Sequence, residues 1–330
     1  MKKKLLVIIL MIFAAIAIAV ISINTGKMNL SPMEVLKVVL GKGTQRQNLI
    51  ILEFRLPRIT LAVLTGIGMG ASGCIMQSLL RNDMASPGTL GISSGSGLFV
   101  LLYVVVFAAK GTSSAIALPL LAFLGGMIAA GLIFFLSYRR GKDISPTGLI
   151  LTGVALGSGY GAATTLLVLR LDQYQMDFMQ RWYAGSLWGD SWDYLVILIP
   201  WTLVLCGYVF YKSRILNVLN LGNQMAKGLG TAVKQEFLGL SIAAVALAAG
   251  SVSLGGNFFF VGMISPHMAR KLVGPDHKFL LPASCLAGAI IVLLADTITR
   301  TISFGTDIPT GIIITVLSTP YFLYLLAKSN

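Results

Sequence analysis

Residues 59–80 read ITLAVLTGIGMGASGCIMQSLL, an apolar run of 22 positions without a charged side chain. As an α-helix rising 1.5 Å per residue it extends about 33 Å, enough for the roughly 30 Å hydrocarbon core of a bilayer. Gly66 and Gly70 stand four apart on one face, a small-residue spacing that lets helix backbones approach closely in lipid. Arg55-Leu56-Pro57-Arg58 precedes the run and Arg81-Asn82-Asp83 follows it, so charge brackets the span at both ends. The stretch reads as a membrane-crossing helix with a packing seam.

Nine further runs of this kind lie at about 5–23, 88–109, 115–138, 146–169, 194–211, 235–254, 257–273, 279–298 and 308–327. The 330 residues are 56% hydrophobic and only 11% charged, with a mean hydropathy of +0.84. An average soluble protein is roughly 25% charged, so a disordered chain is excluded and a water-soluble domain is disfavoured. Ten spans leave only short connections. The expectation is an all-α, polytopic membrane protein of about ten transmembrane helices, forming a single transmembrane domain over 1–330. The first run follows Lys2-Lys3-Lys4 but exceeds the apolar core of a signal peptide, and reads as an uncleaved first helix. Cys74, Cys206 and Cys285 all fall inside apolar runs without metal-ligand spacing, as small packing residues do.

Placing the N-terminal lysines in the cytoplasm and alternating sides gives inner segments at 81–87, 139–145, 212–234 and 274–278, with both termini inside. Of the 25 Lys and Arg, 15 then lie on the inner side with four acidic residues, and ten lie on the outer side with eight. This asymmetry matches the positive-inside rule and absorbs most of the net charge of +13, so nucleic acid is not needed to explain it. The cations remaining outside ask for a partner.

A secondary transporter usually carries carboxylates or histidines near the bilayer midplane, where a coupling ion needs them. The ten runs have no carboxylate at their centres; Glu236 and Asp296 lie toward segment ends, and His267 is a lone histidine in the second half of its run. The two histidines and the absence of clustered carboxylates supply no ligand ladder for a naked transition metal. A G-x-x-x-x-G-K-[ST] phosphate loop is absent, as are zinc signatures and nucleophile-base pairs, so a transport subunit powered by another chain is preferred to an enzyme. The rival is an ATP-independent secondary transporter.

Four stretches carry a more specific signal. They are Arg55-Leu56-Pro57-Arg58; Gly66 to Gly91, with Gly73-Cys74-Ile75-Met76-Gln77 and Arg81-Asn82-Asp83-Met84-Ala85-Ser86-Pro87-Gly88; Gly153-Val154-Ala155-Leu156-Gly157; and Phe260-Val261-Gly262-Met263-Ile264-Ser265-Pro266-His267-Met268-Ala269-Arg270, followed by Gly274-Pro275-Asp276-His277-Lys278. In this order, from about residue 50 to the C-terminus, they resemble the FecCD family, permease subunits of ABC importers for iron-siderophores, haem and vitamin B12. The resemblance implies a type II ABC importer permease fold in a bacterial cytoplasmic membrane. It implies no resident cofactor and no bond-breaking chemistry in this chain. The implied partners are two ATP-binding subunits, an extracytoplasmic substrate-binding protein, and a second copy or a related permease. Ferric siderophore is the preferred cargo, because a fully chelated metal needs no ligands from the protein; haem or cobalamin satisfies the same argument.

The resemblance also assigns residues. Arg55, Arg58 and Arg300 match positions that dock glutamates of the binding protein, and a guanidinium offers a bidentate fork for a carboxylate. The less favoured alternative is that they anchor headgroups or pair locally, as Asp296 and Arg300 are spaced to do. The 212–234 loop contains Gly222, Asn223, Met225, Ala226 and Gly230, matching the coupling helices that fit a groove on the ATPase, with Asn223 where the family carries an acid. It reads as one or two short helices punctuated by glycine. Small residues at Ala226 and Gly230 are expected to let the ATPase approach. Asn82, Met84, Pro146 and Thr147 match an inner gate, or alternatively serve as helix caps. The pairs Gly66/Gly70, Gly153/Gly157 and Gly157/Gly161 read as packing seams, and neither His267 nor His277 is assigned to metal. Asp83 stands where the family usually has Pro, and Phe259 where it commonly has Gly.

Overall fold

In lipid a spanning segment must satisfy its own backbone, so uninterrupted apolar runs fold as helices. The computed structural model describes residues 1–26, 30–106, 116–138, 145–188, 190–301 and 308–328, and no strand occurs among the described residues. In chain order the helices are α1 (Lys2–Asn24), α2 (Pro32–Val39), α3 (Gln45–Asn48), a π-helical stretch Leu49–Arg55, α4 (Leu56–Leu80), α5 (Ile92–Val106), α6 (Ala117–Ser137), α7 (Pro146–Val168), α8 (Gln173–Tyr183), α9 (Trp192–Tyr211), α10 (Ser213–Asn220), α11 (Asn223–Gly228), α12 (Val233–Gly255), α13 (Phe259–Val273), α14 (His277–Thr301) and α15 (Thr310–Lys328). Arg139, Arg140, Lys142 and Asp143 of one expected inner loop lie outside the described residues.

Each of the ten apolar runs coincides with a helix, but the helices are unequal. Among the described residues seven helical stretches are long and apolar enough to cross a membrane, the longest being the continuous segment Gln45–Leu80. Ile92–Val106 and Thr310–Tyr324 are apolar but shorter, and α13 has 15 residues with Pro266 inside and Arg270 and Lys271 in its last turn. The run expected from residue 88 becomes helical only at Ile92. Before it, the Ser86 N–H donates to Thr89 Oγ1 (2.9 Å) and Gly91 takes a positive φ of 77°. Three short helices outside the apolar runs, α2, α3 and α8, each start with a capping box: Ser31 with Glu34, Thr44 with Gln47, and Asp172 with Gln175.

α4 is the axis of the bundle, buried along nearly its whole length against α12, α13 and α14. The contact is made backbone to backbone. A Cβ on Gly66 would lie 2.4 Å from the Gly288 carbonyl oxygen, one on Gly70 2.3 Å from that of Ser284, and one on Gly73 1.7 Å from that of Gly262. Gly262 stands four residues before Pro266, which has no N–H to return, so the carbonyl that Gly73 meets is the one this proline leaves without its helical donor. Two polar side chains of α4 reach across: Ser72 Oγ donates to the Ala244 carbonyl (2.6 Å) and Gln77 Nε2 to that of Met263 (2.9 Å). The seam expected at Gly66/Gly70 is therefore present, and Gly153 meets the Leu90 backbone. Gly161 has nothing within 4 Å of its Cβ direction, so the seam expected at Gly157/Gly161 is not a seam within this chain.

Gly73→Ala is expected to force α4 from α13, with a loss of stability at or beyond the upper end of the roughly 1–3 kcal/mol usual for overpacking. Gly131→Ala on α6, where nothing lies within 4 Å, should stay within about 1 kcal/mol of the parent protein. Thermal unfolding of the purified protein in lipid nanodiscs checks both.

Candidate functional site

At the end of the bundle where α4 begins, the three arginines come together. Arg58 Nε donates to Asp296 Oδ1 (3.0 Å) and Arg300 Nε to Asp296 Oδ2 (2.9 Å), so one carboxylate serves two guanidinium groups. Asp296 is completely buried, whereas the Arg58 side chain keeps 27% of its surface and also reaches Asp190 at 3.5 Å. Arg55 and Arg300 turn toward the end of α1, donating to the Ile23 carbonyl and to Ser22 Oγ. A cleft of about 610 Å³ opens over the cluster, and Arg46 and Arg181 line it beside the expected trio. The local pair Asp296–Arg300 and the convergence of the arginines thus coexist. Arg58 is the more accessible of the two guanidinium groups on Asp296, and Arg55 is buried at 6%.

At the opposite end, the 212–234 segment folds into two short helices as its glycines suggest. Gly222, at φ +109°, starts α11, and Gly230, at φ +77°, follows its end. Lys212 pairs with Glu236 at 2.6 Å, closing the base of the segment, and this carboxylate holds the Lys212 ammonium above its ordinary pKa. α10 is keyed into the bundle through Asn217. Its Nδ2 donates to Asp276 (2.9 Å), and the backbone N–H and Nδ1 of buried His277 both donate to its Oδ1 (3.0 and 2.6 Å). The first of these bonds keeps the Asp276 carboxyl below the usual range. His277 Nε2 in turn lies against Ser78 Oγ of α4.

The surface of the segment differs from expectation at one residue. Ala226 is fully buried within this chain, so its small size serves internal packing and does not face a partner. The exposed apolar side chains are instead Met225 on α11 and the flanking Leu221 and Leu229, at 65%, 61% and 65%. Asn223 accepts from Arg81 Nη2 at 2.7 Å, so it has a charged partner although it carries no charge itself.

Of the expected gate residues, Asn82 and Thr147 line one cavity of about 530 Å³ together with Arg81, Asp83 and Asn220; Met84 and Pro146 do not line it. The capping alternative is resolved residue by residue. Ser145 Oγ, not Thr147, accepts from the Gly148 N–H (3.2 Å) at the start of α7, and Pro146 occupies its first turn. Asn82 Oδ1 accepts from the Met84 N–H (2.9 Å), a local turn within the loop. Asp83 pairs with Arg270 of α13. Sequence reasoning missed Arg81, Asp83 and Arg270, whose partners lie more than 140 residues away.

The model of the FecCD transport family matches residues 10–328. The chain belongs to the FecCD transport family. It is 40% identical to the iron(3+)-hydroxamate import system permease protein FhuG of Bacillus subtilis, over 99% of this chain and 98% of that protein. Identity is also 40% to the Fe(3+)-citrate import system permease protein YfmE of the same organism, covering 98% and 96%. A solved inward-facing metal-chelate type ABC transporter superposes with a TM-score of 0.84 at 29% identity, covering 98% of this chain and 99% of that one. The departures from the FecCD pattern have visible consequences here. Asp83 supplies the ion pair to α13, and the Phe259 ring lies over Gly88, where a Cβ would meet Cδ2 at 2.3 Å.

Asp296→Asn leaves two guanidinium groups without their shared charge. It is expected to cost on the order of 3 kcal/mol, as breaking a buried ion pair does, with a matching fall in the thermal midpoint.

Proposed function

We propose that this chain is the permease subunit of an ABC importer that carries a ferric siderophore across a bacterial cytoplasmic membrane. An external binding protein delivers the chelate, two cytoplasmic ATP-binding subunits drive the cycle, and a second permease copy or a homologue completes the pathway. The observation that carries this reading is the exposed apolar set Leu221, Met225 and Leu229 beside the cavity lined by Asn82 and Thr147. Three large exposed apolar side chains on and flanking the short helix α11, at a polar loop end, mark a protein contact. A driving subunit seated there lies next to the candidate gate. Family membership and the iron-chelate relatives support the cargo class.

Docking at the other end is assigned first to Arg58, whose guanidinium remains accessible, with Arg55 and Arg300 shaping the cleft. The wall of the pathway is assigned to α7. Only Leu149 and Gly153 are buried on it, and Thr147, Ser158 and Thr165 lie on its uncovered surface. The chain itself supplies position and passage, and the ATPase supplies the energy.

Wild-type protein is expected to co-purify with a stoichiometric ATPase, and Met225→Asp combined with Leu229→Asp to lose it while the permease stays in the membrane. Arg58→Glu should weaken capture of the loaded binding protein, with partial rescue by a reciprocal Glu→Arg on that partner. Concentrative uptake by the purified chain alone in liposomes would overturn the reading.

A further inference from the structure

The three residues after α4 are attached to three different parts of the molecule. Arg81 Nη2 donates to Asn223 at the start of α11 (2.7 Å), and its Nη1 lies 3.5 Å from the Cβ direction of Gly222. Asn82 lines the cavity shared with Thr147. Asp83 is paired with Arg270 of α13. The Arg81 backbone sits at φ 49°, ψ 42°, and it is the one non-glycine residue with positive φ among the described residues. A side chain disfavours that region, and residues held there persist where surrounding contacts over-determine them. The contacts in question are on the page: the Arg81 and Asn82 N–H groups both close on the Gln77 carbonyl, and the guanidinium is bound to α11.

We propose that Arg81 is the positioning residue that transmits movement of α11 to the Asn82 gate. A displacement of α11 pulls directly on the charge-assisted bond to Asn223, while Asp83, held by Arg270, fixes the loop two residues further on. The residue between these two attachments is Asn82, so relative motion of α11 and α13 becomes rotation of Asn82 in the cavity. The strained backbone of Arg81 favours this response, because releasing its side chain removes what holds the left-handed turn. Asn217, Asp276 and His277 tie α10 to the bundle separately, so α11 has its own connection to the gate loop.

This inference rests on the importer reading, and the test keeps the two apart. The complete transporter with its ATPase and binding protein is reconstituted in proteoliposomes, and cargo moved per ATP hydrolysed is measured. Arg81→Ala should still co-purify with the ATPase and keep basal hydrolysis, while cargo per ATP falls roughly 2- to 30-fold, the range for residues that carry coupling. Arg81→Gly, which relieves the backbone but lacks the guanidinium, should behave like Arg81→Ala, and Arg81→Lys should restore part of the ratio. Arg81→Ala combined with Asn223→Ala should be no worse than the more severe single variant. An unchanged ratio in Arg81→Ala, full activity in Arg81→Gly, or additive losses in the double variant would overturn the role of Arg81 while leaving the importer intact. A wild-type complex that moves no cargo with ATP would overturn both.

Discussion

The bundle rests on a carbonyl without its usual donor. Pro266 withholds from Gly262 the N–H that a regular helix returns, and Gly73 lacks the side chain that would keep α4 away from the exposed oxygen. Contacts of the Cα–H···O type are worth about 0.5–1 kcal/mol each, so the approach is important less for its own energy than for the geometry it permits. With α4 and α13 at this separation, Gln77 reaches the Met263 carbonyl and Ser72 that of Ala244, and glycine and serine positions on α14 close the other side. Lipid provides no hydrophobic drive between helices, so such close packing and a few buried hydrogen bonds hold the core.

This same helix carries one cluster at each end. Its first turn presents Arg58 to Asp296 and the arginine cleft, and its last residue leads into the loop of Arg81, Asn82 and Asp83. A tightly packed rod is a good mechanical link between two faces of a membrane, since it transmits displacement without bending. The polar contacts in the loop of Arg81 and Asp83 are more exposed than those of Ser72 and Gln77 in the middle, and openings in a protein concentrate where hydrogen bonds are exposed to solvent.

How much of this was legible beforehand follows from how local each signal is. Apolar runs, the Gly66/Gly70 seam, and the two-helix character of 212–234 are properties of contiguous sequence, and the structure has them. The capping boxes of α2, α3 and α8 are equally local, written as Ser31/Glu34, Thr44/Gln47 and Asp172/Gln175, but they lie in polar segments that hydropathy does not mark. The inward orientation of Ala226 was not local, because a small residue in a short helix serves a partner or the chain's own core equally well. Arg81 looked like an ordinary inner-side cation, and Asn223 like the loss of an interaction; only the fold places them against each other. Motif resemblance located the arginines correctly at one face, yet gave no hint that Asp296 binds two of them.

α4 and its neighbours also impose an order on synthesis. The partners that cover its glycines belong to α12, α13 and α14, and α14 begins about 200 residues after α4 ends, a delay of roughly 10–40 s at ordinary elongation rates. For most of that interval, until α12 and α13 emerge, Ser72 and Gln77 sit in the nascent bundle without the carbonyls they bond to in the finished protein. The ribosome thus releases the keystone long before the arch, and holding that helix in a sheltered place until its companions emerge falls to the insertion machinery.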